Sequence, residues 1–251
     1  NYVSWSWKGN GSDSGSSNTN GSIDSTVYVN TNAGFSIVGY TGTGSNATIG
    51  HGLSKAPEML IVKSATSAMD WKVYHASLGS GQQGYLNQNI AFESAGTLWQ
   101  NTTPTSSLFY VNNDASVNHN TNTMIAYCFH SVDGYSKVGS YIGNGSAGSA
   151  NQFDGTFVYT GFRPRFLLFK RIDGSARWYM FDSARNTVNE VRTWLDAEDS
   201  AAEASEQTGG YEIGLDFLSN GFKLKGPSGG TNSSGKTYIY LAFAEVPFKY
   251  S

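Results

Sequence analysis

The sequence has one cysteine, Cys128, so it can hold neither an internal disulfide framework nor a cysteine-rich metal site. It is also poor in charge. Asp, Glu, Lys and Arg make up 14% of residues, where an average domain has roughly 25%. The 16 basic residues are outnumbered by 19 acidic ones, and the net charge of −3 argues against a surface that holds nucleic-acid phosphates. No apolar run approaches the roughly 20 residues of a membrane-spanning helix. The first residue is Asn rather than Met, and no signal-peptide pattern follows. The expectation is a fragment, a processed product or the ordered part of something longer.

Gly, Ser, Thr and Asn take the place of charge, together with 14% aromatic residues. Such a chain has few good helix formers and suits short strands joined by tight turns. Two stretches share a spacing. Pro57 to Trp71 (PEMLIVKSATSAMDW) and Pro164 to Trp178 (PRFLLFKRIDGSARW) both read Pro, five residues, Lys, seven residues, Trp. The Pro, Lys and Trp pairs are each 107 positions apart, which marks an internal repeat. Tyr40 to Ser45 (YTGTGS) echoes Tyr141 to Ser146 (YIGNGS) at an offset of 101, and Ala126-Tyr127 matches Ala242-Phe243 at 116. The growing offset places insertions in surface loops.

Periodicity predicts strands over Thr26 to Asn30, Gly34 to Tyr40, Ala47 to Gly50, Met59 to Val62, Trp71 to Tyr74, Tyr85 to Asn87, Leu108 to Val111 and Met124 to Phe129. In the second copy it predicts Thr156 to Thr160, Arg165 to Arg171, Arg177 to Asp182 and Thr237 to Ala244, with Asn220-Gly221 turning a hairpin inside Asp216 to Leu224. Glu190 to Gln207 has near-helical spacing. The repeat aligns Trp194-Leu195-Asp196 with Tyr85-Leu86-Asn87, so a short strand followed by an irregular or briefly helical loop is expected there. Val3 to Trp7 alternates Trp5 and Trp7 with Ser4 and Ser6, and reads as the last strand of a preceding unit. The expected fold is therefore all-β: a connector over 1–33, then two tandem related β-sandwich (jelly-roll-like) units over 34–139 and 140–251, with Gly/Asn/Ser-rich loops.

Candidate sites are few. Trp71 and Trp178 are repeat-equivalent and could form sugar-stacking platforms, although a recurring large aromatic is more often a core anchor. Tyr74 and His75 beside the first, and Asp182 and Arg185 beside the second, complete the candidate ligand-binding positions. His51, His75, His119 and His130 lack metal-ligand spacing, so no metal or cofactor is expected. Cys128 reads as a small buried hydrophobe. Asp13, Asp24, Asp114 and Asp133 sit in polar loops that match no calcium motif, and read as turn formers. Asp196, Glu198, Asp199, Glu203 and Glu206 read as a solvated acidic face, and nothing pairs two carboxylates across a cleft as a glycosidase requires.

Several long phrases together resemble an uncharacterised tandem β domain of phage structural proteins, often tail-fibre-like and often from marine phages. They are GFSIVGYTGTG, GHGL, Pro57 with IVK and W-x-VYH, GYSK-x-GSYIGNGS, VYTGFRP, DFLSNGFKL and YIYLAFAEVPFKY, over roughly residues 21 to 250. The resemblance implies a virion protein, assembled in the host cytoplasm and extracellular on the particle. It carries over no catalytic residue. The expected function is a non-enzymatic part of a tail fibre or surface appendage that contributes to recognition of host surface polysaccharide. The expected partners are other virion proteins and further copies of the chain, a homotrimer being common in phage fibres, with no nucleic acid and no membrane insertion. A purely structural spacer or capsid-decoration module and a polysaccharide depolymerase are the alternatives.

Overall fold

The computed structural model describes residues 3–9, 14–146, 154–205 and 213–246. Asp13 and Glu206 lie outside them. The chain divides into two units, one of residues 1–81 and 95–130, the other of 82–94 and 131–251. In chain order the first unit holds β1 (Ser16–Asn18), β2 (Ser25–Asn30), β3 (Phe35–Thr41), β4 (Ala47–Gly50), β5 (Met59–Ser64) and β6 (Lys72–His75). The excursion into the second unit carries β7 (Gln82–Tyr85) and β8 (Glu93–Ser94), after which the first unit closes with β9 (Leu108–Val111), α1 (Ala115–Asn118) and β10 (Thr123–Phe129). The second unit continues with β11 (Ser136–Ile142), β12 (Phe157–Tyr159), β13 (Pro164–Arg171), β14 (Tyr179–Asp182), β15 (Thr193–Asp196), β16 (Ala204–Ser205), β17 (Leu215–Leu218), β18 (Gly221–Leu224) and β19 (Thr237–Ala244). The four-residue α1, capped by Asp114 accepting from Ser116 N–H at 2.7 Å, is the only α-helix among the described residues, so the fold is all-β as expected.

The main sheet of the first unit runs β1-β2-β3-β10-β5-β6, and that of the second runs β11-β19-β13-β14-β15-β16. The central strands correspond, with β3, β10, β5 and β6 in the places of β11, β19, β13 and β14. The pairings among these central strands are antiparallel. A smaller sheet completes each core: β4-β9 in the first unit, β12-β18-β17 in the second. Val38, Leu60, Met124 and Cys128 pack with Ile49, Phe109 and Val111 in one core. Tyr141, Leu167, Phe169 and Tyr240 pack with Val158, Phe217 and Phe222 in the other. Burial follows the pattern that made these strands. The continuous Met59-Leu60-Ile61-Val62 run is buried on both faces, whereas on β10 Met124, Ala126 and Cys128 point inward and Ile125 and Tyr127 are half-buried.

Three expectations are corrected. Residues 1–33 are not simply a connector, because β1 pairs with β2 and β2 pairs with β3 through Asn30↔Phe35 to Ser25↔Tyr40. The Thr26 to Asn30 strand is there as expected, but the three-residue edge strand β1, Ser-Ser-Asn, carries no apolar pattern that would reveal it. Val3 to Trp7 belongs to no strand, although Trp5 and Trp7 are half-buried and Ser4 and Ser6 exposed, as the alternation predicts. Finally, Tyr40↔Met124 and Tyr141↔Tyr238 are equivalent pairs, so β10 maps onto β19 at an offset of 114, not 116. A slip of two residues keeps every side chain on its face, so the hydrophobic pattern alone cannot detect it.

The hairpin in Asp216 to Leu224 turns one residue earlier than expected. Leu218 pairs with Gly221, leaving Ser219 and Asn220 as the turn. Gly221 serves close approach instead: a Cβ there would lie 2.1 Å from the carbonyl oxygen of Val158 on β12.

Candidate functional site

The repeated Lys closes a hairpin in each unit. Lys63 Nζ donates to the carbonyl of Ser67 at 2.9 Å, and Lys170 Nζ donates to that of Ala176 at 2.5 Å. The repeated Trp then has two environments. Trp71 is half-buried, its ring 6.3 Å from that of Tyr127 and within 9° of parallel to it. Trp178 is 1% exposed. Its Nε1 donates to the carbonyl of Tyr85 at 2.7 Å, Phe92 lies 6.0 Å from it, and the Lys170 ammonium sits 5.7 Å from its ring centroid. Tyr74 is buried edge-on to Trp99, and its repeat equivalent Phe181 is buried against Phe169. His75 and Asp182 share a turn role: His75 Nδ1 accepts from Ser77 N–H at 3.2 Å, and Asp182 Oδ1 accepts from Ala184 N–H at 3.0 Å, each two residues on. Arg185 bonds Asp182 and Glu203, both at 2.5 Å. Of the six candidate positions, Tyr74, His75, Trp178 and Asp182 are thus buried and Arg185 is held in ion pairs. Trp71 is the half-buried aromatic of the set, stacked on Tyr127.

The acidic run is not a uniformly solvated face. Asp196, at the end of β15, has a side chain only 8% exposed and pairs with Arg177 at 2.7 Å. Glu198 Oε2 accepts from Trp178 N–H at 3.0 Å. Burial, first of all, holds both carboxyls above the usual range. Burial also pushes the Lys170 ammonium down to about 8, opposed by the Glu198 carboxylate. A lowered folded-state value means the unfolded chain binds the extra proton, so Lys170 adds stability as pH rises from about 8 toward 10.5. Wild type is therefore expected to gain on the order of 2–3 kcal/mol over Lys170→Met across that window. Denaturant titrations at both pH values check this, and a constant difference between the two proteins contradicts it.

The histidines and the cysteine are structural. His51 is buried, its Nδ1 accepts from Leu53 N–H at 3.1 Å, and desolvation lowers it to about 4, with His130 adding to the shift. His119 Nδ1 lies 3.0 Å from the carbonyl of Asn120. Cys128 is fully buried, which pushes its thiol up to about 12. Asp24, Asp114 and Asp133 are exposed, and among the described residues no three His, Cys, Asp or Glu side chains are placed to hold a metal ion. No helix of the described residues is long and apolar enough to cross a membrane.

Two residues that the sequence reading missed organise both units. Asn118 and Asn232 are fully buried and 114 positions apart. Asn118 Oδ1 accepts from Thr43 N–H at 2.9 Å, while its Nδ2 donates to the carbonyls of Ser45 and Asn112 at 2.5 and 3.0 Å. Asn232 Oδ1 accepts from Asn144 N–H at 3.1 Å, while its Nδ2 donates to the Gly226 carbonyl at 3.0 Å and Asn144 Oδ1 at 2.9 Å. The neighbouring carbonyls take a phenol in each unit: Tyr40 donates to Val117 O at 2.5 Å, and Tyr141 to Thr231 O at 2.8 Å. This clamp explains the echoed YTGTGS and YIGNGS. A Cβ on Gly42 or Gly143 would lie 2.1 or 2.3 Å from the carbonyl oxygen of His119 or Ser233, and Gly44 and Gly145 have φ of +67° and +64°.

The face that the scaffold leaves uncommitted lies on the small sheet of the second unit. On β12, Val158 enters the core while Phe157 and Tyr159 point outward, 44% and 65% exposed. Phe157 stands opposite Lys223 and Tyr159 opposite Gly221. Phe157 leans over that glycine, its ring 3.0 Å from where a Cβ would be. The charges around them are paired: Lys223 with Asp154 at 2.5 Å and Lys225 with Asp216 at 2.9 Å. In sequence, the signal was the F-V-Y alternation, which puts two aromatics outward whenever the valine is inward.

No curated protein and no solved structure matches the chain. The family model described as Domain of unknown function (DUF7483) matches residues 1–247, both copies of the repeat and the stretch before them, and the chain belongs to that family.

Proposed function

We propose that the chain is a non-enzymatic component of a phage virion, two β-sandwich units in tandem within a tail fibre or surface appendage, which helps recognise host-surface glycans. The observation that supports this reading is how the reactive side chains are used. Lys170, Glu198, Asp182, Arg185 and His51 all make internal hydrogen bonds or ion pairs. What the repeat preserves is scaffold: the Asn118 and Asn232 clamps, the buried Tyr40 and Tyr141, and the hairpin-closing Lys63 and Lys170. A scaffold of this kind holds loops and outward faces in place, and binding surfaces on rigid sheets need no catalytic group.

The test is to incubate the fluorescently labelled chain with candidate host cells and with polysaccharide extracted from their surface, assaying released sugar in the same tubes. Saturable binding without sugar release is the expected result. Release that disappears in Asp196→Asn or Glu198→Gln would replace this reading with polysaccharide cleavage. Absence of binding at high micromolar concentration would replace it with a spacer or decoration module.

A further inference from the structure

We infer that Phe157 and Tyr159 on β12, with the paired charges beside them, form a binding strip for a neutral glycan chain. This inference rests on the glycan-recognition reading and assigns it a place.

The first support is that the scaffold does not require these two rings outside. Their alternation partner Val158 already fills the core position, and the counterpart sheet of the first unit presents Thr48 opposite Tyr110, both half-buried. Two large aromatics left in water at alternate positions of one strand stand roughly 6.8 Å apart along it, as the strand rise dictates. They lie on the outer face of a three-stranded sheet whose other outward residues are Lys223, Gly221, Asp216 and Leu218. Gly221, buried beneath Phe157, lets that ring lie down against the sheet.

The second support is chemical. A pyranose ring offers an apolar face of C–H groups and a rim of hydroxyls. The electron-rich face of an aromatic ring attracts those C–H groups and takes apolar area out of water at low entropic cost, because Tyr and Phe have few rotatable bonds. The rim needs donors and acceptors, and Lys223, Asp154, Lys225 and Asp216 supply both. Because each cation already faces a carboxylate, the strip has no unpaired charge to give an anionic ligand. That balance selects a neutral glycan over a charged one. A peptide adding to the edge of β12 would find only a three-residue strand to bond with.

Affinity electrophoresis of the whole chain in gels containing dextran, laminarin or xyloglucan, with alginate as the anionic comparison, tests this. Retardation is expected in at least one neutral gel and not in alginate. Phe157→Ala and Tyr159→Ala should each weaken it about tenfold, as expected for the loss of one exposed aromatic anchor. Tyr159→Phe, which keeps the ring, should retain it, and unchanged thermal midpoints in all three variants show that folding is intact. Retardation that survives both alanine variants overturns the strip while leaving glycan recognition standing. No retardation in any neutral gel also overturns it, and extracted host polysaccharide cast in a further gel then shows whether glycan recognition itself survives.

Discussion

Asn232→Ala is expected to cost about 2–4 kcal/mol, several times what truncating a surface asparagine does, because a buried polar group left without a partner costs about 1–3 kcal/mol and each further lost hydrogen bond about 0.5–1.5 kcal/mol. The side chain is fully buried, and removing it strands the carbonyl of Gly226. It also takes one of two partners from the Asn144 N–H, from Asn144 Oδ1 and from the Thr156 hydroxyl, which keep Thr156 Oγ1, the Ser146 N–H and the Ile142 carbonyl. Asn118→Ala should cost a similar amount, since it strands the N–H of Thr43 and the carbonyls of Ser45 and Asn112. Asn232→Asp should be worse than its shape suggests. It loses both Nδ2 donations and places a carboxylate where two carbonyl-type oxygens, Gly226 O and Asn144 Oδ1, already point. Denaturant unfolding followed by circular dichroism measures all three. A cost below about 1 kcal/mol at either asparagine would mean that the loop, not the side chain, holds the clamp.

The clamp was out of reach of a sequence reading for a definite reason. Asn118 lies in an Asn-rich stretch where nothing local distinguishes it from Asn112, Asn120 or Asn122, and the groups it satisfies on Thr43 and Ser45 are more than seventy positions away. The one usable signal is comparison of the copies at the correct offset, which aligns Val117-Asn118 with Thr231-Asn232 and Thr123 with Thr237. Matching Ala126-Tyr127 to Ala242-Phe243 hides it, because a two-residue slip costs nothing in hydrophobic pattern. Other elements were readable because their information is local. The run of four apolar residues in β5 and the alternation in β10 are properties of a few adjacent positions, and β4, β9 and β19 begin and end where the pattern does. Within the described part of Glu190 to Gln207, Thr193–Asp196 form β15, as the repeat predicts over the near-helical spacing, and Ala204–Ser205 form β16. Whether a repeated aromatic is buried is not local information. Trp71 and Trp178 have the same spacing to Lys, and only the Phe92-bearing segment, some ninety positions earlier in sequence, covers the latter.

That difference gives the second large effect. Trp178→Ala is expected to cost about 3–5 kcal/mol, the range for emptying a buried aromatic site. It removes the ring that packs Phe92 and faces the Lys170 ammonium, and it leaves the Tyr85 carbonyl without its indole donor. Trp178→Phe should recover most of the packing but not that hydrogen bond, leaving a deficit of about 1 kcal/mol. Trp71→Ala should cost about 1 kcal/mol or less, since the ring is only half-buried where it stacks on Tyr127. Equal costs at the two positions, measured as shifts in denaturant midpoint with unchanged slope, would show that the shared spacing reflects a shared burial after all. The same Trp71→Ala protein also bears on the binding strip. If it keeps its midpoint yet loses retardation in the neutral glycan gels while Phe157→Ala and Tyr159→Ala retain it, the half-exposed pair Trp71 and Tyr127 is the sugar-facing surface and the β12 rings are not.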